Sequence, residues 1–118
     1  MLENIPSNTD VLITHQPPYL IMDESAGLHY GNRTLLDAVK RIKPEAHLFG
    51  HIHNAYGMSE CNTMLFSNAS IVTDNYEFCN QPNMINLWLF QEKTSLTFTL
   101  HFLTFLVFGK KAQGLVIR

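Results

Sequence analysis

Three histidines lie where chemistry is expected, just beyond two short apolar runs. His15 follows residues 11–14, and His51 and His53 follow residues 46–49. Neutral imidazole is a good ligand for zinc, iron and manganese, and α/β proteins place functional groups in the loops beyond strand ends. The pattern therefore predicts part of a metal site built from these three side chains.

The spacing of the last two histidines adds to this prediction. Residues two apart in an extended chain point to the same side and lie about 6.6 Å apart, which suits ligands of two metal ions about 3.5 to 4 Å apart. Gly50, just before the pair, lets the backbone turn or approach a ligand closely. The alternative is that all three are ordinary hydrogen-bonded side chains at strand ends. The other histidines are predicted not to be ligands: His29, His47 and His101.

Composition limits the class of protein. The chain has 118 residues, 46% of them hydrophobic, which is enough for one modest domain. A net charge of −2 gives no basic surface of the kind that nucleic-acid binding requires. Cys61 and Cys79 match no zinc or redox spacing, so two free thiols in a reducing compartment are expected. The first residues do not resemble a signal peptide, and we expect a cytoplasmic protein that does not enter the membrane.

The apolar pattern predicts an α/β fold. We expect two strands, over residues 11–14 and 46–49, with a functional loop over 19–31 between them. A helix follows this loop; Asn32 can cap its start, and it ends before Pro44. One face of that helix is apolar: Leu35, Leu36, Val39 and Ile42. A strand–helix–strand unit of this length implies a parallel pair with a right-handed crossover. Because both strands then end at the same edge of the sheet, the three histidines should meet there.

The second half of the chain predicts further strands, over residues 63–67 and 85–90. Residues 94–108 are uncharged and begin with a period of two, which favours a buried or edge strand. A segment foreign to the domain and a membrane contact are the alternatives, although the stretch is shorter than the roughly 20 residues that cross a bilayer. We therefore divide the chain into residues 1–90 and an apolar extension of uncertain role, 91–118.

Several motifs in order carry a resemblance to a known family: Val11 to Pro18, Leu35-Leu36 with Val39, Pro44, His47 to His53, Tyr56-Gly57 and Asn68-Ala69-Ser70. Over roughly residues 2–87 they resemble the C-terminal part of calcineurin-like metallophosphoesterases. The branch in question is that of the small metallophosphodiesterases typified by the fetal-brain metallophosphoesterase-domain proteins. The resemblance implies a β-sandwich with flanking helices and a dinuclear metal centre at the sheet edge.

Position by position, the resemblance implies that His15 and His51 bind one metal ion and that His53 binds the other. It also implies two divalent ions in the complete domain, Mn, Fe or Zn, and a small phosphoester substrate, in particular a phosphodiester. The family's Asp-x-His, Gly-Asp and Gly-Asn-His-Asp motifs do not occur in this chain. We therefore expect an incomplete, C-terminal half of the fold that lacks the proton donor.

Substitute carboxylates would have to come from elsewhere in the chain. The nearest candidates, Asp23, Asp74 and Glu77, are each expected to be solvated loop charges. Two functions therefore stay open. The chain is either part of a metal-dependent phosphoesterase, inactive in isolation, or a truncated, non-catalytic remnant that binds metal weakly or pairs with a fuller partner. The sequence does not predict an oligomeric state.

Overall fold

The computed structural model describes residues 2–89, 94–100 and 115–117, with side chains described for 2–86. The strands are β1 (Val11–Ile13), β2 (Glu24–Ser25), β3 (Leu28–His29), β4 (Ala46–Phe49), β5 (Gly57–Cys61), β6 (Met64–Asn68), β7 (Asn83–Leu89), β8 (Thr94–Leu100) and β9 (Leu115–Ile117). The helix α1 spans Arg33–Ile42, and two single 3-10 turns span Leu2–Asn4 and His53–Ala55.

A five-stranded sheet in the order β5-β6-β4-β1-β9 forms the centre of the molecule. β1, β4 and β6 are parallel neighbours, whereas β5 and β9 run antiparallel at the two edges. All four residues of β4 are buried, as expected for a central parallel strand covered on both faces. β2 pairs with β3, and β7 with β8, in two separate hairpins. The parallel β1–α1–β4 unit is thus confirmed.

α1 begins and ends as its sequence predicts. The side-chain oxygen of Asn32 accepts the backbone N–H of Leu35 at 2.9 Å, which satisfies one of the free amides of the first turn. Lys43 adopts a left-handed conformation with φ of 53°, and its N–H donates to the carbonyl of Val39. The helix therefore has a defined length, and this length sets where β4 starts.

Alternating side chains of the sheet build a core on each face. One cluster comprises Val11, Ala46, Leu48 and Ile85. The other comprises Leu12, Leu35, Val39, Phe49 and Phe66. α1 thus covers one face of β1 and β4, while Ile85 of β7 packs against the other.

Four described strands were not predicted: β2, β3, β5 and β9. The loop over 19–31 contains the short hairpin β2–β3. β5 was not predicted because most of its residues are exposed and polar, so it lacks an apolar alternation. The structure is a mixed α/β fold, and the sandwich architecture stays a prediction.

The division at residue 90 also stays a prediction. β8 falls inside the stretch 94–108, where a strand was expected, but residues 101–108 lie outside the described part of the chain. Within the described residues, no helix is long and apolar enough to cross a membrane.

Candidate functional site

The parallel pairing of β1 and β4 brings their exits together. Beyond the strands, the N–H of Thr14 donates to the carbonyl of Leu48 at 2.9 Å, and the N–H of Gly50 donates to the carbonyl of His15 at 3.1 Å. The two chains therefore leave the sheet side by side. The imidazole rings of His15 and His51 lie with their centroids 4.7 Å apart and their planes tilted by 52°. Two of the three predicted site residues are in contact.

His51 and His53 are not in extended geometry, and that expectation was wrong. His51 has a φ of 73°, in the left-handed region that residues other than glycine rarely adopt. His53 begins the 3-10 turn His53–Ala55. The chain turns sharply after Gly50 and does not continue as a strand. The alternation of side chains in an extended chain therefore does not fix where the His51 and His53 rings point.

Asn68 holds this turn in place from inside the protein. Its side-chain amide is fully buried and donates to the carbonyl of Ile52, between the two histidines, at 2.8 Å. The same nitrogen donates to the carbonyl of Met22 at 3.3 Å. Because Asn68 ends β6, the neighbour of β4 in the sheet, the histidine turn is fastened to the next parallel strand. Asn68 belongs to one of the motifs that resemble the family, but its hydrogen bond to this turn was not predicted.

Burial keeps the two adjacent imidazoles neutral. Partial burial lowers the pKa of His15. Burial also lowers the pKa of His51, and the charges that His15 and His53 would carry when protonated lower it further. A neutral ring offers a lone pair to a metal ion, whereas a protonated ring cannot. His15 and His51 are thus in the chemical form that ligation requires at neutral pH.

His53 is surrounded by the loop that follows β6. Its side chain is 10% exposed, its Nδ1 lies 3.5 Å from Oδ1 of Asp74, and its ring makes an edge contact with Tyr76 at 5.5 Å between centroids. Asp74 is 65% exposed and belongs to a loop, as predicted, but its carboxylate is not free. The contact between His53 and Asp74 has no signal in the sequence, because 21 positions separate the two residues in the chain.

Asp23 is a buried carboxylate, and the expectation of a solvated loop charge was wrong. It is 1% exposed and accepts the N–H groups of Leu20 and Gly31, at 3.0 and 2.9 Å, and Nδ1 of His29 at 2.7 Å. Burial by itself raises the pKa of the Asp23 carboxyl, but the hydrogen bonds from His29, Leu20 and Gly31 together bring it below its ordinary value. Asp23 therefore organises the loop after β1 and does not substitute for a ligand.

Gly31 permits this arrangement. A side-chain carbon at Gly31 would lie 2.5 Å from the carbonyl oxygen of Pro18 and 2.6 Å from the Asp23 carboxylate. No larger residue fits, since both distances are far below van der Waals contact. The glycine thus lets the end of the loop close over the Asp23 carboxylate.

His47 is a structural histidine, as predicted. It is fully buried in β4, where burial lowers its pKa to about 3. The Thr14 hydroxyl donates to the carbonyl of Gln16 at 2.7 Å, so it accepts from Nε2 of His47 at 2.9 Å. Nδ1 of His47 has no hydrogen-bond partner among the described residues. The ring is neutral and lies inside the sheet, not at its edge.

The donor set fits part of a metal site. His15 and His51 offer two adjacent neutral nitrogens of the kind that divalent transition metals bind. Among the residues with described side chains, no three histidine, cysteine or carboxylate groups are arranged to hold a metal ion. A catalytic metal ion has about three protein ligands, so a complete site requires donors beyond this pair. Both cysteines, Cys61 and Cys79, are free and exposed, as expected.

Comparisons with known proteins agree with the motifs. No family model matches the chain. Metallophosphoesterase domain-containing protein 1 of Homo sapiens and that of Mus musculus are each 41% identical to it over 86 residues, which is 70% of this chain and 26% of theirs. A UPF0046 protein of Caenorhabditis elegans is 38% identical over 81 residues, 69% of this chain and 26% of that protein.

The chain thus spans about a quarter of the length of the curated relatives it matches. These matches show that, over about 70% of its length, the chain belongs with the metallophosphoesterase domain-containing proteins.

Proposed function

We propose that this chain contributes to a site that hydrolyses phosphoesters, with phosphodiesters as the substrate class and divalent metal as the cofactor. The observation that carries the proposal is the contact between His15 and His51, whose ring centroids lie 4.7 Å apart. Both residues follow the ends of two parallel strands. Homology to metallophosphoesterase-domain proteins supports it. His15 and His51 would hold one ion, and His53 would contribute to a second.

The chain's own residues do three things in this proposal. Burial keeps His15 and His51 neutral, so their lone pairs are available. Asn68 fixes the turn that carries His51 and His53. The parallel strands hold His15 and His51 at one edge of the sheet. Bound divalent ions would supply charge neutralisation at the phosphoryl oxygens, which is the larger part of what phosphoester hydrolysis requires.

A second candidate is a non-catalytic protein that binds one ion weakly or pairs with a fuller partner. It is favoured by the donor count, since the described side chains form no group of three metal-binding residues. This candidate predicts little metal after dialysis and no hydrolysis in added manganese. The two functions therefore differ in measurements on the same preparation.

The test uses the full 118-residue chain with bis(para-nitrophenyl) phosphate and added Mn²⁺. Because the side chains that the structure describes supply only part of the site, the test concerns whatever manganese-dependent hydrolysis the chain retains. We expect that activity to fall by at least about 100-fold in His51→Ala, because removal of a direct ligand should cost more than removal of a group that merely orients one. The matched control is His29→Gln, whose amide can still donate to Asp23 and which lies outside the histidine cluster. Equal losses in both variants would contradict the proposal.

A further inference from the structure

The loop after β6 forms a closed turn opposite His53. The hydroxyl oxygen of Thr73 accepts the N–H groups of Asn75 and Glu77, each at 3.2 Å. The carbonyl of Thr73 accepts the N–H of Tyr76 at 2.8 Å, and the N–H of Thr73 donates to the carbonyl of Glu77 at 2.9 Å. These bonds lie within residues 73–77, so the turn has a defined shape of its own. It presents Asp74 and Tyr76 to the His53 ring.

Asp74 is also held from the other side. Its Oδ2 accepts the side-chain amide of Asn54 at 2.8 Å, and the same amide nitrogen donates to the hydroxyl of Ser25 at 2.8 Å. Asn54 directly follows His53 in the chain. The amide therefore ties the histidine turn to the β2–β3 hairpin and to the Asp74 carboxylate at once. The other oxygen, Oδ1, lies 3.5 Å from Nδ1 of His53.

We propose that Asp74, held by Asn54, is a positioning residue that keeps the proton of the neutral His53 ring on Nδ1 and leaves Nε2 free as a metal ligand. Tyr76 limits rotation of the same ring through its edge contact. The ligand role of Nε2 rests on the proposed function, whereas the position of the proton does not.

The chemistry of the pair gives the direction of the effect. A carboxylate only accepts hydrogen bonds, and a neutral imidazole carries one N–H, so Asp74 favours the form protonated on the facing nitrogen. A separation of 3.5 Å is long for such a bond, and contacts of this kind in functional sites often shorten when ligand binds. Groups that orient a histidine ligand in this way typically contribute 10- to 100-fold in metal affinity.

The first test is spectroscopic and requires no metal. Long-range proton–nitrogen NMR spectra of the full chain, labelled with ¹⁵N at histidine, report which ring nitrogen carries the proton, and His53→Gln identifies the signals of His53. We expect the Nδ1–H form in the parent chain and a shift towards the Nε2–H form in Asp74→Ala. Asn54→Ala, which releases Asp74, should shift it less in the same direction. Glu77→Gln, which removes the same charge from the same turn, should leave the spectrum unchanged.

The second test measures Zn²⁺ binding to the same proteins by titration calorimetry. We expect the affinity to fall about 10- to 100-fold in Asp74→Ala and to stay within twofold of the parent in Glu77→Gln. An unchanged tautomer and unchanged affinity in Asp74→Ala, with zinc still bound through His53, would overturn the positioning role and leave the proposed function intact. A shifted tautomer without zinc binding in any variant would overturn the proposed metal site and leave the proton assignment standing.

Discussion

His47 and His51 are four positions apart, yet the protein uses them in opposite ways. His47 lies inside β4, fully buried, with its pKa lowered to about 3. His51 lies just past the end of β4, in a left-handed turn against His15. The end of the strand separates a histidine buried inside the sheet from a histidine that can meet a ligand. Three sets of substitutions test this contrast between groups held inside the sheet and groups held in its loops.

The largest expected effect is acid destabilisation through His47. Its pKa is lowered in the fold, so the neutral ring is favoured there and the unfolded chain binds the proton more readily. This contribution to stability is fully present above pH 6.5 and is lost as the pH falls towards 3. We expect the free energy of unfolding in urea to fall by up to about 1.4 kcal/mol per pH unit across this range.

The matched variant is His47→Leu, which removes the titrating ring. The Thr14 hydroxyl keeps a partner in this variant, because it donates to the carbonyl of Gln16. The slope of stability against pH between 6.5 and 4 should be shallower than in the parent chain. Parallel slopes in the two proteins would show that the buried histidine is not the group that titrates.

The second effect tests whether polar groups of the loops are as firmly held as those of the strands. Asp23→Ala leaves the N–H groups of Leu20 and Gly31 without their acceptor, and a buried donor without a partner costs about 1 to 3 kcal/mol. We expect a loss of about 2 kcal/mol in the free energy of unfolding, measured by urea denaturation at pH 7. Asp23→Asn, which keeps an acceptor oxygen, should lose less than half as much.

The smallest effect concerns the backbone of His51. Its φ of 73° costs about 1 to 2 kcal/mol for a residue with a side chain and almost nothing for glycine. We therefore expect His51→Gly to be about 1 kcal/mol more stable than His51→Ala by thermal or urea unfolding. Both variants lack the ring, so both should lose whatever manganese-dependent hydrolysis the parent chain retains. A glycine variant no more stable than the alanine variant would mean that the turn stores no strain for the sake of the site.

Much of the central unit could be predicted because its signals are local. The apolar runs of β1 and β4 and the stripe of α1 are contiguous in sequence, and Asn32 and Pro44 mark the ends of the helix. A strand–helix–strand unit implies a parallel pair, and parallel strands end at the same edge of the sheet. The expected meeting of His15 and His51 followed from these steps, and the structure brings their rings together.

The loops could not be predicted in the same way. A charged residue in a polar loop, such as Asp23, is expected to be exposed to solvent. Only the folded loop surrounds Asp23 with Leu20, His29 and Gly31. β5 pairs at an exposed edge and leaves no apolar alternation in the sequence. The contact of Asp74 with His53 joins distant positions through hydrogen bonds that no periodicity encodes.

The sequence by itself determined the α/β class, the parallel strand–helix–strand unit and the family relationship, because each depends on contiguous patterns and on the order of motifs. The tertiary structure decided which polar groups are buried, how His51 turns away from extended geometry, and that Asp74 faces His53. The physical reason is that burial and hydrogen bonding are set by neighbours brought together only when the sheet and its loops pack.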